Sequence, residues 1–226
     1  MHTDTAPLTV TFDVYSALID SRAGGTRALA ALAGQRGWDA DPDAVYARWD
    51  AICKGLQRDV DAYVPFRALA EQAMREAQRE LGIDSDPAED ARALLDTIGS
   101  WPHYADVPDA VARVAAAHPV AVLTNIDDDL LAQTDTGWPF ATAITSEGAR
   151  CYKPHPDIYR FAVDRLGPLV HIAASARDVR GSLEAGLEVV RVDRPGHRVD
   201  PDGPAPRWVI DDLRELPGVL AQIEQG

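Results

Sequence analysis

Leu8-Thr9-Val10-Thr11-Phe12-Asp13-Val14-Tyr15-Ser16-Ala17-Leu18-Ile19-Asp20 opens with an apolar run and breaks on a carboxylate. β-Branched and aromatic side chains suit a pleated, buried surface. Residues 8–12 are therefore predicted to form a strand, with Asp13 at its carboxyl end. The same pattern recurs further along. Residues 119–123 run into Thr124-Asn125, and residues 169–174 run into Ser175. Residues 141–145, 187–192 and 208–210 are shorter runs of the same kind. Helical patterns separate them, with Val107, Ala110, Val111 and Val114 in one and Ile158, Phe161, Ala162 and Leu166 in another. Such alternation predicts an α/β fold, a Rossmann-like parallel sheet flanked by helices. Ligands of these sheets bind beyond the carboxyl ends of the strands. Asp13, Thr124, Asn125 and Ser175 all fall there.

Between Asp20 and about residue 100 no strand pattern occurs. Val45, Trp49, Ile52 and Leu56 share one helical face. Pro65 opens a second helix, with Phe66, Leu69, Ala70, Ala73, Ala77 and Leu81 inward and Gly82 as its stop. This predicts an inserted helical cap domain over residues 20–100. Residues 1–19 and 101–226 would then form the α/β core, re-entered through Trp101-Pro102-His103. Residues 196–206, rich in Pro, Gly and Asp, read as a loop.

The composition narrows the partners. Of 226 residues, 46% are hydrophobic, enough for a sizeable core, and the net charge is −14. That surface repels polyanions, which argues against nucleic acid and anionic membranes as partners. A small-molecule substrate, even an anionic one, remains compatible if basic groups line its pocket. Cys53 and Cys151 form no CxxC, and the six histidines show no metal-ligand spacing. The opening residues lack the basic end and apolar run of a signal peptide, so a cytoplasmic location is expected.

Four segments carry the chemistry: residues 12–20, Leu123-Thr124-Asn125, residues 152–159 and Ala174-Ser175-Ala176-Arg177-Asp178 with Gly181 after it. A carboxylate is a poor nucleophile in water, but beside a lysine and backbone N–H groups it can attack and form an ester. Taken singly, each residue also has a plain structural role. Asp13 suits a loop cap, Thr124 and Asp178 suit helix caps, and Lys153 suits solvent. The acidic run Asp127-Asp128-Asp129 suits a helix N-terminus. His155 lies close enough to Lys153 in sequence to reach a pocket, whereas His171 belongs within a strand.

In their order, FDVYSALID (12–20), VLTNIDDDL (122–130) and YKPHPDIY (152–159) resemble the haloacid dehalogenase (HAD) superfamily, in particular its type II haloacid dehalogenase-like branch. The resemblance implies a hydrolase with Asp13 as nucleophile and a covalent ester intermediate. Lys153 would steady the charge of Asp13, and Asp178 would orient the lysine, a water or a metal. Thr124, with Asn125 beside it, would bind the leaving group, and Tyr15 and Ser175 would contact substrate. It also implies a homodimer through the cap.

The departures from that pattern matter as much. Phosphatases of the superfamily place a second Asp where this chain has Tyr15, and a tyrosine is a weak proton donor at neutral pH. The dehalogenase branch carries Tyr there. Ala17 stands where a Thr is usual. Trp49-Asp50 replaces Trp-Arg, with Arg48 next to it. Ala173-Ala174 replace the Gly-Asp of phosphatases. The leading expectation is a cofactor-free hydrolase of a small 2-substituted carboxylic acid, like a 2-haloacid dehalogenase. A second is a Mg2+-dependent phosphatase of a small metabolite, with the metal on Asp13, the Tyr15 carbonyl and Asp178. A third is a recruited scaffold with a binding or biosynthetic role.

Overall fold

The structure, a computed structural model, describes residues 7–225. Residues 1–6, most of the stretch read for a leader, and residue 226 lie outside the described residues. Six strands pair in parallel as one sheet: β1 (Thr9–Phe12), β2 (Val120–Thr124), β3 (Ala143–Thr145), β4 (Leu169–Ala173), β5 (Glu188–Val192) and β6 (Trp208–Ile210). Their order is β3-β2-β1-β4-β5-β6. The direction of winding reverses between β1 and β4, which opens a crevice at their carboxyl ends. Register fixes what meets there. Phe12 lies opposite Val122 on one side and Ile172 on the other, so the residues after all three come out level.

Four helices fill the stretch from Asp20 to about residue 100: α1 (Ser21–Arg36), α2 (Pro42–Asp59), α3 (Phe66–Leu81) and α4 (Pro87–Leu95). Sequence periodicity marks only α2 and α3. The first helix escapes it because Gly24, Gly25, Ala28 and Ala33 dilute its packing face, which has only Leu29 and Leu32 as large apolar residues. A Cβ on Gly24 would come within 2.4 Å of the Trp101 ring, and one on Gly25 within 2.2 Å of the Tyr46 ring. Absent side chains there let two aromatic rings lie on the backbone. Asp20 caps this helix by accepting from the Ala23 N–H, and Asp86 caps α4 through Ala88 and Glu89. Leu81, expected inward, is 38% exposed in the last turn of α3.

The other helices cover the sheet: α5 (Val107–Ala115), α6 (Asp128–Gln133), α7 (Ser146–Ala149), α8 (Pro156–Leu166), α9 (Ala176–Glu184) and α10 (Leu216–Gln225). The eighth starts at Pro156, because His155 caps it by accepting from the Asp157 N–H with the proline at the first position.

Where the chain leaves the sheet and returns, Ile19 and His103 form an antiparallel bridge, and Asp20 N–H bonds the Pro102 carbonyl at 2.9 Å. One apolar cluster runs without a break from Phe12, Val122 and Ile172 on the sheet to Trp49, Leu94 and Ile98 among the inserted helices. Two polar fasteners add to it. Arg194, 6% exposed, donates to both Asp106 oxygens at 2.9 and 3.0 Å and to the Ala17 carbonyl. Asp127 does not cap α6, the helix that follows it. Its carboxylate accepts from the Phe66 and Arg67 N–H groups and from the Tyr63 hydroxyl, so it caps α3 of the insertion instead.

Candidate active site

Directly after β1, residues 14–18 form one wide turn of π type, kinked at Tyr15 (φ −85°, ψ 19°) and closed by the Ile19 N–H on the Val14 carbonyl. This turn decides which side chains face Asp13. Ser16 comes round to donate its hydroxyl to Asp13 Oδ2. Ala17 faces the core, fully buried. The hydroxyl missing at position 17 is thus supplied from position 16.

The other carboxylate oxygen, Asp13 Oδ1, accepts from Lys153 Nζ at 2.8 Å. The same ammonium donates to the Leu123 carbonyl at 2.7 Å and to Asp178 Oδ2 at 2.5 Å, which uses all three of its protons. Asn125 holds this lysine in place. Its Oδ1 accepts from the Lys153 N–H, and its Nδ2 donates to the Lys153 carbonyl and to Gln57 Oε1. Burial alone would push the lysine's pKa down, but Asp13 and Asp178 together hold it above its ordinary value.

Asp178 is itself enclosed. Lys153 and His171 Nε2 (3.1 Å) meet Oδ2, and the Tyr159 hydroxyl donates to Oδ1 at 2.8 Å. Burial opposes its charge, yet Lys153 and His171 outweigh that and keep its carboxyl well below the usual carboxylate range. His171 in turn meets the Thr11 hydroxyl at 2.9 Å through Nδ1. The cap of α9 is Ser175, whose hydroxyl accepts from the Asp178 N–H; Asp178 does not cap it.

Over these groups lies a cavity of about 100 Å³. Asp13, Thr124, Asn125, Lys153, Ser175 and Asp178 line its polar floor, joined by Arg177. The opposite wall is largely aromatic: Tyr46, Trp49 and Phe66 come from the insertion, Trp101 from the segment where the chain returns, and Tyr15 from the turn. Thr124 is fully buried here, and its hydroxyl has no hydrogen-bond partner among the described residues. An unpaired buried hydroxyl costs stability, so it points to a group that arrives with a ligand.

All seven residues named from the sequence thus line one cavity. The Tyr15 hydroxyl bonds Thr134 at 2.6 Å, and burial raises its pKa. Asp50 and Lys54 also line the cavity and pair with each other at 2.5 Å. Two neighbours fall elsewhere. His155 faces solvent at the start of α8, and Arg48 pairs with Glu80 on the surface. Ser16, Gln57, Tyr159, His171 and Arg177 were not among the expected site residues. Ser16, Tyr159 and Arg177 lie within the chemistry-bearing segments without a role of their own, and nothing in the sequence marks Gln57 or His171.

The donor set for magnesium is poor. The Tyr15 carbonyl already accepts from Ser21 at 2.9 Å, and both oxygens of Asp178 are taken by Lys153, His171 and Tyr159. Among the described residues no three His, Cys, Asp or Glu side chains converge as a metal cluster. Magnesium needs several free oxygens in octahedral array, and this trio does not fit it.

A family model described as haloacid dehalogenase-like hydrolase matches residues 8–186. An (S)-2-haloacid dehalogenase of Burkholderia cepacia is 27% identical over 71% of this chain and 73% of its own length. A phosphoserine phosphatase of Thermus thermophilus is 31% identical over 77% of this chain and 72% of its own. Among solved structures, an L-2-haloacid dehalogenase from Xanthobacter autotrophicus superposes with a TM-score of 0.78 at 22% identity, over 94% of this chain and 98% of that one. It shares the fold. No described helix is long and apolar enough to cross a membrane.

Proposed function

The chain belongs to the haloacid dehalogenase-like hydrolases, and on that premise we propose that it hydrolyses a small 2-substituted carboxylic acid, in the manner of a 2-haloacid dehalogenase and without a metal. Asp13 attacks the C2 carbon, the halide leaves with its electron pair, and an ester joins Asp13 to the substrate. Water then cleaves that ester. A 2-hydroxy acid, a halide and one proton are the products, and Asp13 is regenerated. Lys153 and Ser16 hold the two carboxylate oxygens during the attack. Lys153 is held in turn by Asp178. Thr124 offers its free hydroxyl to the leaving group.

The observation that carries this reading is Tyr15. A phosphate ester expels an alkoxide, which needs a proton from the enzyme, and Tyr15 stands where that acid would be. Its hydroxyl is committed to Thr134, and burial makes it a weaker acid still. A halide leaves as a stable anion and needs no proton. The phosphatase relative keeps a second reading in view, a magnesium-dependent phosphatase, but the occupied oxygens of Tyr15 and Asp178 weigh against it. The division into residues 1–19 with 101–226 as core and 20–100 as cap belongs to the same reading. The Ile19–His103 bridge supports it.

Halide release from a panel of two- to four-carbon 2-chloro and 2-bromo acids, measured in a chelator, tests this. Release is expected, and Asp13→Asn is expected to lower it by at least about a thousandfold. No release from any of these acids, with magnesium-dependent hydrolysis of an aryl phosphate in its place, would overturn the reading.

A further inference from the structure

The charges around the cavity pair off unevenly. Asp13 and Asp178 share Lys153, and Asp50 has Lys54. Arg177 has no carboxylate partner among the described residues. Its Nη1 donates to the Lys54 carbonyl at 2.9 Å and its Nη2 to Gln57 Oε1 at 2.8 Å, both uncharged acceptors on α2. A guanidinium carries five N–H donors in a planar fork, so three remain. The side chain is partly buried and lines the cavity beside Ser175. Burial pushes its pKa below the ordinary value, as expected of a cation short of counter-charge. It also sits in the first turn of α9, the positive end of a helix, where a cation is unfavourable. Asp178 in the same turn offsets this only in part, because its two oxygens are committed elsewhere. A cation held in such a place is stabilised when an anion fills the cavity. On the insertion, position 50 offers a carboxylate instead.

We propose that Arg177, presented by the core and aimed by Gln57, binds the carboxylate of the substrate. This rests on the proposed hydrolysis and deepens it, because it assigns the orientation of the acid. The carboxylate lies on the Arg177 fork, C2 faces Asp13, and the remaining substituent meets the aromatic wall of Trp49, Phe66 and Trp101. Gln57 is the positioning residue. It is 7% exposed, and its Oε1 accepts from both Arg177 and Asn125, so it ties the acid-binding fork to the lysine-bearing loop.

The rival role is a strut that pins α2 to α9. Calorimetric titration of the whole protein with 2-methylpropanoate and with its neutral amide separates the two. The acid has the shape of a 2-halo acid but no leaving group. Wild type and Asp13→Asn are expected to bind the acid at least tenfold tighter than the amide. Arg177→Met and Arg177→Gln should lose that preference; Gln keeps a donor for the strut but no charge, so it decides the matter should Met fail to fold. A structural role alone would lower the melting temperature of Arg177→Met and leave the acid-over-amide ratio unchanged. The proposal is overturned if Arg177→Gln binds the acid within twofold of wild type, or if wild type shows no preference for acid over amide. Halide release keeps the two readings apart. Turnover in Arg177→Gln with an unchanged KM sinks the role of Arg177 and spares the hydrolysis. Acid binding that is lost in Arg177→Gln, with no haloacid turned over by wild type, does the reverse.

Discussion

At the scale of single residues, Asp13, the proposed nucleophile, is defined by what holds its two oxygens. Lys153 takes one and Ser16 the other. Ser16→Ala removes one hydrogen bond to a charged acceptor, worth about 1.5–3 kcal/mol. The expected result is a kcat for halide release lowered roughly tenfold to a hundredfold, with KM near that of wild type, read from initial rates. An unchanged kcat would show that the hydroxyl only fills space. Asp178 makes a prediction in pH. Its folded-state pKa lies below the unfolded value of about 3.9. Its stabilisation is therefore complete above about pH 4 and is lost as pH falls through the depressed folded value. Lys153, raised in the fold, keeps its share up to and beyond about pH 10.5. Asp178→Asn should thus melt well below wild type between about pH 5 and 9, with the gap closing towards pH 2. Urea or thermal melts across that range check it, and a gap that stays constant at acid pH contradicts it.

At the scale of elements, strands and site were legible for one reason. The three central strands β1, β2 and β4 are short, mostly apolar runs that give way to a polar residue, so Asp13, Thr124 and Ser175 announced themselves at strand ends. What stayed hidden depends on geometry that no spacing encodes. Ser16 reaches Asp13 only because the turn after β1 is wide, and a standard helical turn would have aimed it elsewhere. His171 reads as a strand residue, and it is one. Its bond to Asp178 exists because β4 and α9 meet beside Lys153. α1 was illegible because glycines and alanines interrupt its packing face, leaving Leu29 and Leu32 as its large buried residues. Another glycine shows how closely α9 is fitted. A Cβ on Gly181 would lie 2.4 Å from Pro154 Cβ. Gly181→Ala should push α9 away from the Lys153 loop and separate Asp178 from its lysine. We expect a stability loss of about 1–3 kcal/mol by denaturant melting and halide release lowered at least about tenfold. Wild-type activity in that variant would mean the contact is slack.

At the scale of the whole molecule, one sheet and one helical insertion meet over a cavity whose floor is polar and whose roof is aromatic. Net charge told what the protein repels, and in the proposed reading the pocket reverses that sign locally through Arg177. The grip of Asp127 on the N-terminus of α3 has a mechanical consequence. The insertion is already moored by the two chain crossings at residues 19–20 and 102–104. A body moored along one line can swing about it like a door. A third point off that line arrests the swing. Asp127 is one such point, alongside the bonds from Asn125 and Arg177 to Gln57, and it follows Thr124, the last residue of β2, by three residues. Any tilt wide enough to lift the aromatic roof must first release three hydrogen bonds to that carboxylate, and would tug on the segment that carries the unpaired threonine hydroxyl. In the proposed reading, admission of substrate and the posture of the floor are in this way geared to one another, with Asp127 as one of the links.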